Sequence, residues 1–107
     1  MQLDYIPPDP DRLAALLRLL AEPNRLRIFL SLVQECRSVG DIASTAGLNQ
    51  SNTSFHLRIL REAGLVRPER HGPFIYYCLY DFVLPRLLGE LDGWLSRRPR
   101  QAPVKAG

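Results

Sequence analysis

Two cysteines, Cys36 and Cys78, and two histidines, His56 and His71, are the side chains of this sequence best suited to hold a metal or attack an electrophile. None stands at a ligand spacing such as Cys-X-X-Cys or His-X-X-X-His, so no self-contained metal site is written in the chain. There is no nucleophile elbow, phosphate-binding glycine loop or metal-protease helix, and the acids are scattered, so an enzyme is not expected. Two cysteines so far apart do not suggest a disulfide scaffold, and a reducing compartment would keep them as free thiols. As thiolates they suit a soft species such as arsenite or another thiophilic ligand, or oxidation, within a chain or across a dimer, although two ligands make an incomplete cage. The plainer readings are an inert thiol at a helix end for Cys36 and a small packing residue on a strand for Cys78.

A second chemistry is written between residues 49 and 71. Gln50, Ser51, Asn52, Ser54 and His56 form one run of hydrogen-bonding side chains, and Arg58, Arg61, Arg67, Arg70 and His71 follow it. On a helix lying in the DNA major groove, an amide such as Gln50 or Asn52 can make paired hydrogen bonds to adenine, each worth ~1–3 kcal/mol of discrimination. Serines suit phosphates or any base. Arginines contact phosphates, which orient a protein and make its affinity salt-dependent without reading sequence. His71 suits the backbone or the minor groove. For any single residue the alternative is an ordinary solvated face, and for His56 a helix-face histidine bonded to a backbone carbonyl.

The elements that must position these residues follow from periodicity and capping. Asp9 followed by Pro10 starts a first helix, with Leu13, Leu16, Leu17 and Leu20 in one apolar stripe. Glu22, Pro23 and Asn24 interrupt it. A second helix, apolar on more than one side, carries Leu26, Phe29, Leu30 and Val33 and is expected to end near Cys36. Ser38 caps a short third helix, with the Asp41 carboxylate returning to the cap, and Gly47 stops it in a left-handed conformation. Asn49 caps a fourth helix running to Ala63, and Gly64 ends it. Two helices joined by so tight a turn make a helix-turn-helix. Leu65 to Glu69 and Phe74 to Leu79 read as strands of a hairpin, or wing, separated by Arg70-His71-Gly72-Pro73. A last helix begins near Val83 and carries Leu84, Leu87, Leu88, Leu91 and Leu95 beside Trp94. Its Gly89 and Gly93 either permit close helix approach or are plain surface glycines.

The expected architecture is therefore mainly α with a β-hairpin wing, a winged helix-turn-helix of five helices and two strands in the order α-α-α-α-β-β-α. An extended arm is expected over residues 1–9, the folded domain over 10–97 and a basic flexible tail over 98–107. The first and last helices each carry more apolar surface than one small core can absorb, so they are expected to pair in a symmetric homodimer. At 107 residues, 46% hydrophobic and 23% charged, the chain has the composition of one ordinary globular domain. The net charge of +3 is unevenly spread: residues 1–22 and 81–96 are each acidic by two, whereas 23–80 are basic by three and 97–107 by four. No apolar run approaches the ~20 residues of a membrane span and no signal-peptide layout opens the chain, so no membrane partner and a cytoplasmic location are expected.

Three stretches carry a resemblance. Leu20-Ala21-Glu22-Pro23-Asn24-Arg25-Leu26-Arg27-Ile28 is similar to the entry to the second helix of the ArsR/SmtB family of winged-helix transcriptional repressors. Ser51 to Val66, with Ser54-Phe55-His56-Leu57 at its centre, is similar to that family's recognition helix and exit into the wing. Tyr76-Tyr77 falls where the second wing strand has the same pair. The resemblance, from about Leu13 to Leu95, implies a dimeric repressor on a palindromic operator in double-stranded DNA, with Asn49 to Ala63 as recognition helix. Phe55 departs from the polar residue usual there, and its ring is free to pack inward. Of the family's metal sites, the Cys-X-Cys before the third helix is replaced by Ser38-Val39-Gly40. The zinc-type site of the last helix is absent too, since Asp81 to Arg98 holds no histidine. The rival to DNA binding on the same fold is a protein-interaction module, which would show an apolar outer face on the fourth helix.

Overall fold

In the computed structural model, which describes residues 5–99, the elements follow the chain as α1 (Pro10–Leu20), α2 (Pro23–Ser31), β1 (Arg37–Ser38), α3 (Val39–Ala46), α4 (Gln50–Glu62), β2 (Val66–His71), β3 (Phe74–Leu79) and α5 (Val83–Arg97). Each of the first four helices starts where a side chain answers an orphan amide. Asp9 accepts from the amides of Asp11 and Arg12, Glu22 from Arg25, Ser38 from Asp41 and Asn49 from Asn52. The Asp41 carboxylate does not return to the Ser38 cap as expected but faces the Arg37 guanidinium at 3.9 Å. Gly47 ends α3 with φ 69°, a conformation that a side chain would strain, and this lets α4 start three residues later.

Three expectations change. The sheet has three strands, not two, in the antiparallel order β1-β3-β2. β1 is two residues long and shows no alternation to read. Helix α2 stops at Ser31, well before Cys36, because the chain must turn to reach β1: Leu32 and Val33 donate to carbonyls three residues back, and Arg37 Nε donates to the Ser31 carbonyl at 2.8 Å. In the wing, His71 pairs with Phe74, so Arg70 and His71 belong to β2 and the loop is only Gly72-Pro73.

The core is built by α2, α3, α4 and the base of the wing, with Ile28, Phe29, Ile42, Leu57, Leu60 and Val66 essentially inaccessible to water. Each such side chain contributes ~1.5–3 kcal/mol on burial, which fixes α4 against α2 and α3. Helix α5 contrasts with this. It has no buried residue. Leu84 and Leu88 rest on the core, while Leu87, Leu91, Trp94 and Leu95 are exposed, as are Leu13 and Leu17 of α1. Between α2 and α5 runs an apolar groove of about 700 Å³, lined by Leu26, Leu30, Val33, Phe82, Leu91 and Leu95 among others. A Cβ at Gly89, on the rim of this groove, would meet nothing within 4 Å.

Among the described residues no helix is long and apolar enough to cross a membrane. Of the expected arm and tail, residues 1–4 and 100–107, with Arg100 and Lys105, lie outside the described residues. Arg98 is described, its guanidinium 4.9 Å over the Trp94 ring.

Candidate nucleic-acid interface

The 3.6-residue period of α4 divides its side chains cleanly. Thr53, His56, Leu57 and Leu60 are turned into the protein, and Gln50, Ser51, Asn52, Ser54, Phe55, Arg58 and Arg61 stand on the exposed side. Asn49 Oδ1 accepts the Asn52 amide at 2.8 Å, and the buried Thr53 hydroxyl donates to the Asn49 carbonyl at 2.9 Å, so the first turn is locked from both sides. Gln50, Ser51, Ser54, Phe55 and Arg58 line one shallow depression on the outer face. It gathers amide, hydroxyl and guanidinium groups on the element whose dimensions fit a major groove.

His56 is a correction. Expected among the groove contacts, it is only 8% exposed and turned away from the outer face. Arg25 Nη1 lies 3.2 Å from His56 Nδ1 and Glu22 Oε1 lies 3.9 Å from Nε2. Because a guanidinium can only donate, Nδ1 is the acceptor and the ring proton sits on Nε2, facing Glu22. Arg25 also donates through Nε to the Leu19 carbonyl at 2.7 Å, and Glu22 accepts the Arg25 amide at 2.8 Å. The Glu22-Pro23-Asn24-Arg25 turn is thus a bracket that ties the end of α1 and the start of α2 to the back of α4. Phe55 moves the other way: its ring is 48% exposed on the outer face, with Arg58 5.7 Å over it and the His56 ring edge-on at 5.4 Å.

In the wing, Arg70 is exposed, while Arg67 and His71 are both engaged by Glu69. Arg67 Nη1 donates to Glu69 Oε2 at 2.6 Å and His71 Nε2 lies 2.7 Å from Oε1. These two hydrogen bonds, Arg67 first, hold the Glu69 carboxyl below the usual carboxylate range. His71 also stacks on Tyr76, with ring centroids 4.5 Å apart. The signal was available: alternate residues 67, 69 and 71 of one strand must share a face.

The free-thiol expectation is overturned. Cys36 and Cys78 are joined in a disulfide, with Cα atoms 4.4 Å apart. The reason is register: β1 runs antiparallel to β3 with Arg37 opposite Tyr77 and Ser38 opposite Tyr76, so the next residue outward on each strand brings Cys36 against Cys78. With β1 unread, nothing in a separation of 42 residues could reveal the pair. The two sulfurs and the Glu69 carboxylate all lie within 4.8 Å of one another, the one such grouping of three potential metal ligands among the described residues.

Comparison with known proteins agrees with this geometry. A family model described as a helix-turn-helix domain matches residues 20–69. The HTH-type transcriptional regulator CmtR of Mycobacterium tuberculosis is 44% identical over 79 residues, 74% of this chain and 67% of CmtR. Among solved structures, Rv0081 of M. tuberculosis superposes with a TM-score of 0.77 at 35% identity, covering 86% of this chain and 93% of that one. A homodimeric winged helix-turn-helix DNA-binding domain of Mycobacterium bovis, described as a possible ArsR-family regulator, superposes with a TM-score of 0.68 at 31% identity, covering 90% and 99%.

Proposed function

This chain belongs to the ArsR/SmtB family of winged-helix transcriptional regulators, and we propose that it is a repressor that grips a palindromic operator as a homodimer. The observation that carries the reading is the outer face of α4, where Gln50, Ser51, Ser54 and Arg58 surround one depression with Phe55 as its single apolar member, while Leu57 and Leu60 of the same helix are buried. A protein-docking module would present the reverse.

In this reading Gln50, Ser51, Asn52 and Ser54 meet base edges or phosphates, and Phe55 offers an apolar contact to a thymine methyl. Arg58, Arg61 and Arg70 meet phosphates, joined by Arg67 and His71 when Glu69 lets them go. The dimer forms through α1 and α5, whose exposed leucines and open apolar groove are what one chain leaves uncovered. The two-fold then sets two α4 helices about one DNA turn, ~34 Å, apart. Residues 10–97 are the DNA-binding and dimerising unit, 1–9 an arm and 98–107 a basic tail that adds affinity for DNA without reading sequence. The protein acts in the cytoplasm and is not an enzyme.

Cys36 and Cys78 are the effector thiols, and a thiol-reactive or metalloid signal such as arsenite, acting on the reduced pair, releases the operator. Nuclease footprinting of the reduced protein on DNA from just upstream of its own gene tests the function. A protected palindrome, relieved by arsenite or oxidant, is expected; no protection beyond that on scrambled DNA contradicts it. Protection that neither agent relieves would leave a repressor without a thiol effector.

A further inference from the structure

We propose that, once a dithiol or phosphine reductant has delivered two electrons to the Cys36–Cys78 bond and left two thiols, the two thiolates and the Glu69 carboxylate hold one thiophilic divalent cation of the zinc or cadmium kind at the root of the wing. The inference deepens the reading of Cys36 and Cys78 as effector thiols and rests on it.

The placement is set by the sheet. Register puts Cys36 of the segment before β1 opposite Cys78 of β3. β2 then brings Glu69 to the same spot, so all three ligand atoms lie within 4.8 Å of one another. Two sulfurs and one oxygen are a donor set that a borderline-soft cation accepts at ~2.0–2.3 Å, with a fourth position left to water. The Cys78 side chain is buried and those of Cys36 and Glu69 are half-buried, so the site is partly shielded yet open on one side. Each thiol gives up its proton to solvent as it binds. The missing ligand of the incomplete thiol pair is therefore supplied by Glu69 of β2, the strand paired with the one that carries Cys78. Glu69 also grips Arg67 and His71, so a cation taking its oxygens competes with both wing residues.

The test uses the full chain, reduced with a phosphine that is then removed without air, and titrated with cadmium ion alone. Thiolate-to-cadmium charge-transfer absorbance reads the result, and because the chain has two cysteines the band reports on this pair only. Saturation at one cadmium per chain is expected, with no band in the oxidised protein. Glu69→Gln should bind at least ~10-fold more weakly with the thiolate band retained. No band in the reduced wild type overturns the site, and equal affinity in Glu69→Gln overturns the third ligand. Operator binding measured on the same samples keeps the two readings apart. Cadmium binding that leaves DNA affinity unchanged upholds the site and removes its role as effector.

Discussion

Arg25 of α2 and His56 of α4 meet at 3.2 Å behind the exposed face of the recognition helix. The contact ties α4 to the start of α2, so in the proposed reading His56 bears on DNA through the placement of α4 and not through a base or a phosphate. Removing a buried hydrogen-bonded side chain leaves the Arg25 guanidinium short of a partner, at a cost of about 1–3 kcal/mol. His56→Ala should therefore lower stability by that amount in urea melts, and its operator affinity should fall while its salt dependence stays that of the wild type.

Phe55 and Gln50 should behave in the opposite way. Both are exposed, so Gln50→Ala and Phe55→Ala should leave stability in urea within about 0.5 kcal/mol of wild type, while Gln50→Ala weakens specific binding by ~1–3 kcal/mol for a lost paired contact and Phe55→Ala weakens it through a lost apolar one. Replacing operator thymines by uracil removes the methyl groups. The wild type should lose affinity on such DNA and Phe55→Ala should not distinguish the two duplexes.

Glu69 provides a pH test. Its folded-state carboxyl titrates below the usual range, so its stabilising contacts are complete above its unfolded value and are lost as pH falls through the lower, folded value. An NMR titration of the Glu69 carboxyl carbon should show this depressed midpoint, and Arg67→Gln, which removes the larger cause, should move it up toward the ordinary value.

Helix α5 should be needed for assembly rather than for the fold of one chain, since it holds no buried residue. Leu87→Asp or Leu91→Asp should give a folded monomer by sedimentation velocity and circular dichroism. The loss of half the contacts should abolish specific binding at concentrations where the wild type saturates. A variant that stays dimeric would place the interface elsewhere.

The elements that the sequence made legible are those with local causes. Asp9, Ser38 and Asn49 as caps, Gly47 as a stop and the leucine stripes of α1 and α5 are all written within a few residues of where they act. β1 was not legible, because two residues carry no period, and the disulfide was lost with it, since only register against β3 brings Cys36 to Cys78. The polar run of α4 was readable as a run, but not which members face outward: His56 lies on the inner side with Thr53 and Leu57, and Phe55 on the outer side with Ser54 and Arg58. Hydropathy alone would place both the other way. Glu69 was hidden for a different reason, since an acid in a basic wing reads as solvated until the strand places it between Arg67 and His71.

The most direct measurement is fluorescence anisotropy of the reduced protein on DNA from just upstream of its own gene, across salt, beside a scrambled duplex of equal length. Saturable binding to the upstream DNA is expected, with log affinity falling linearly against log salt. Arg70→Gln should reduce the slope by about one per chain without changing the preference for that DNA. Equal affinity for both duplexes would contradict an operator at that position. No salt-dependent binding to either would contradict the assignment of the polar face of α4 to DNA.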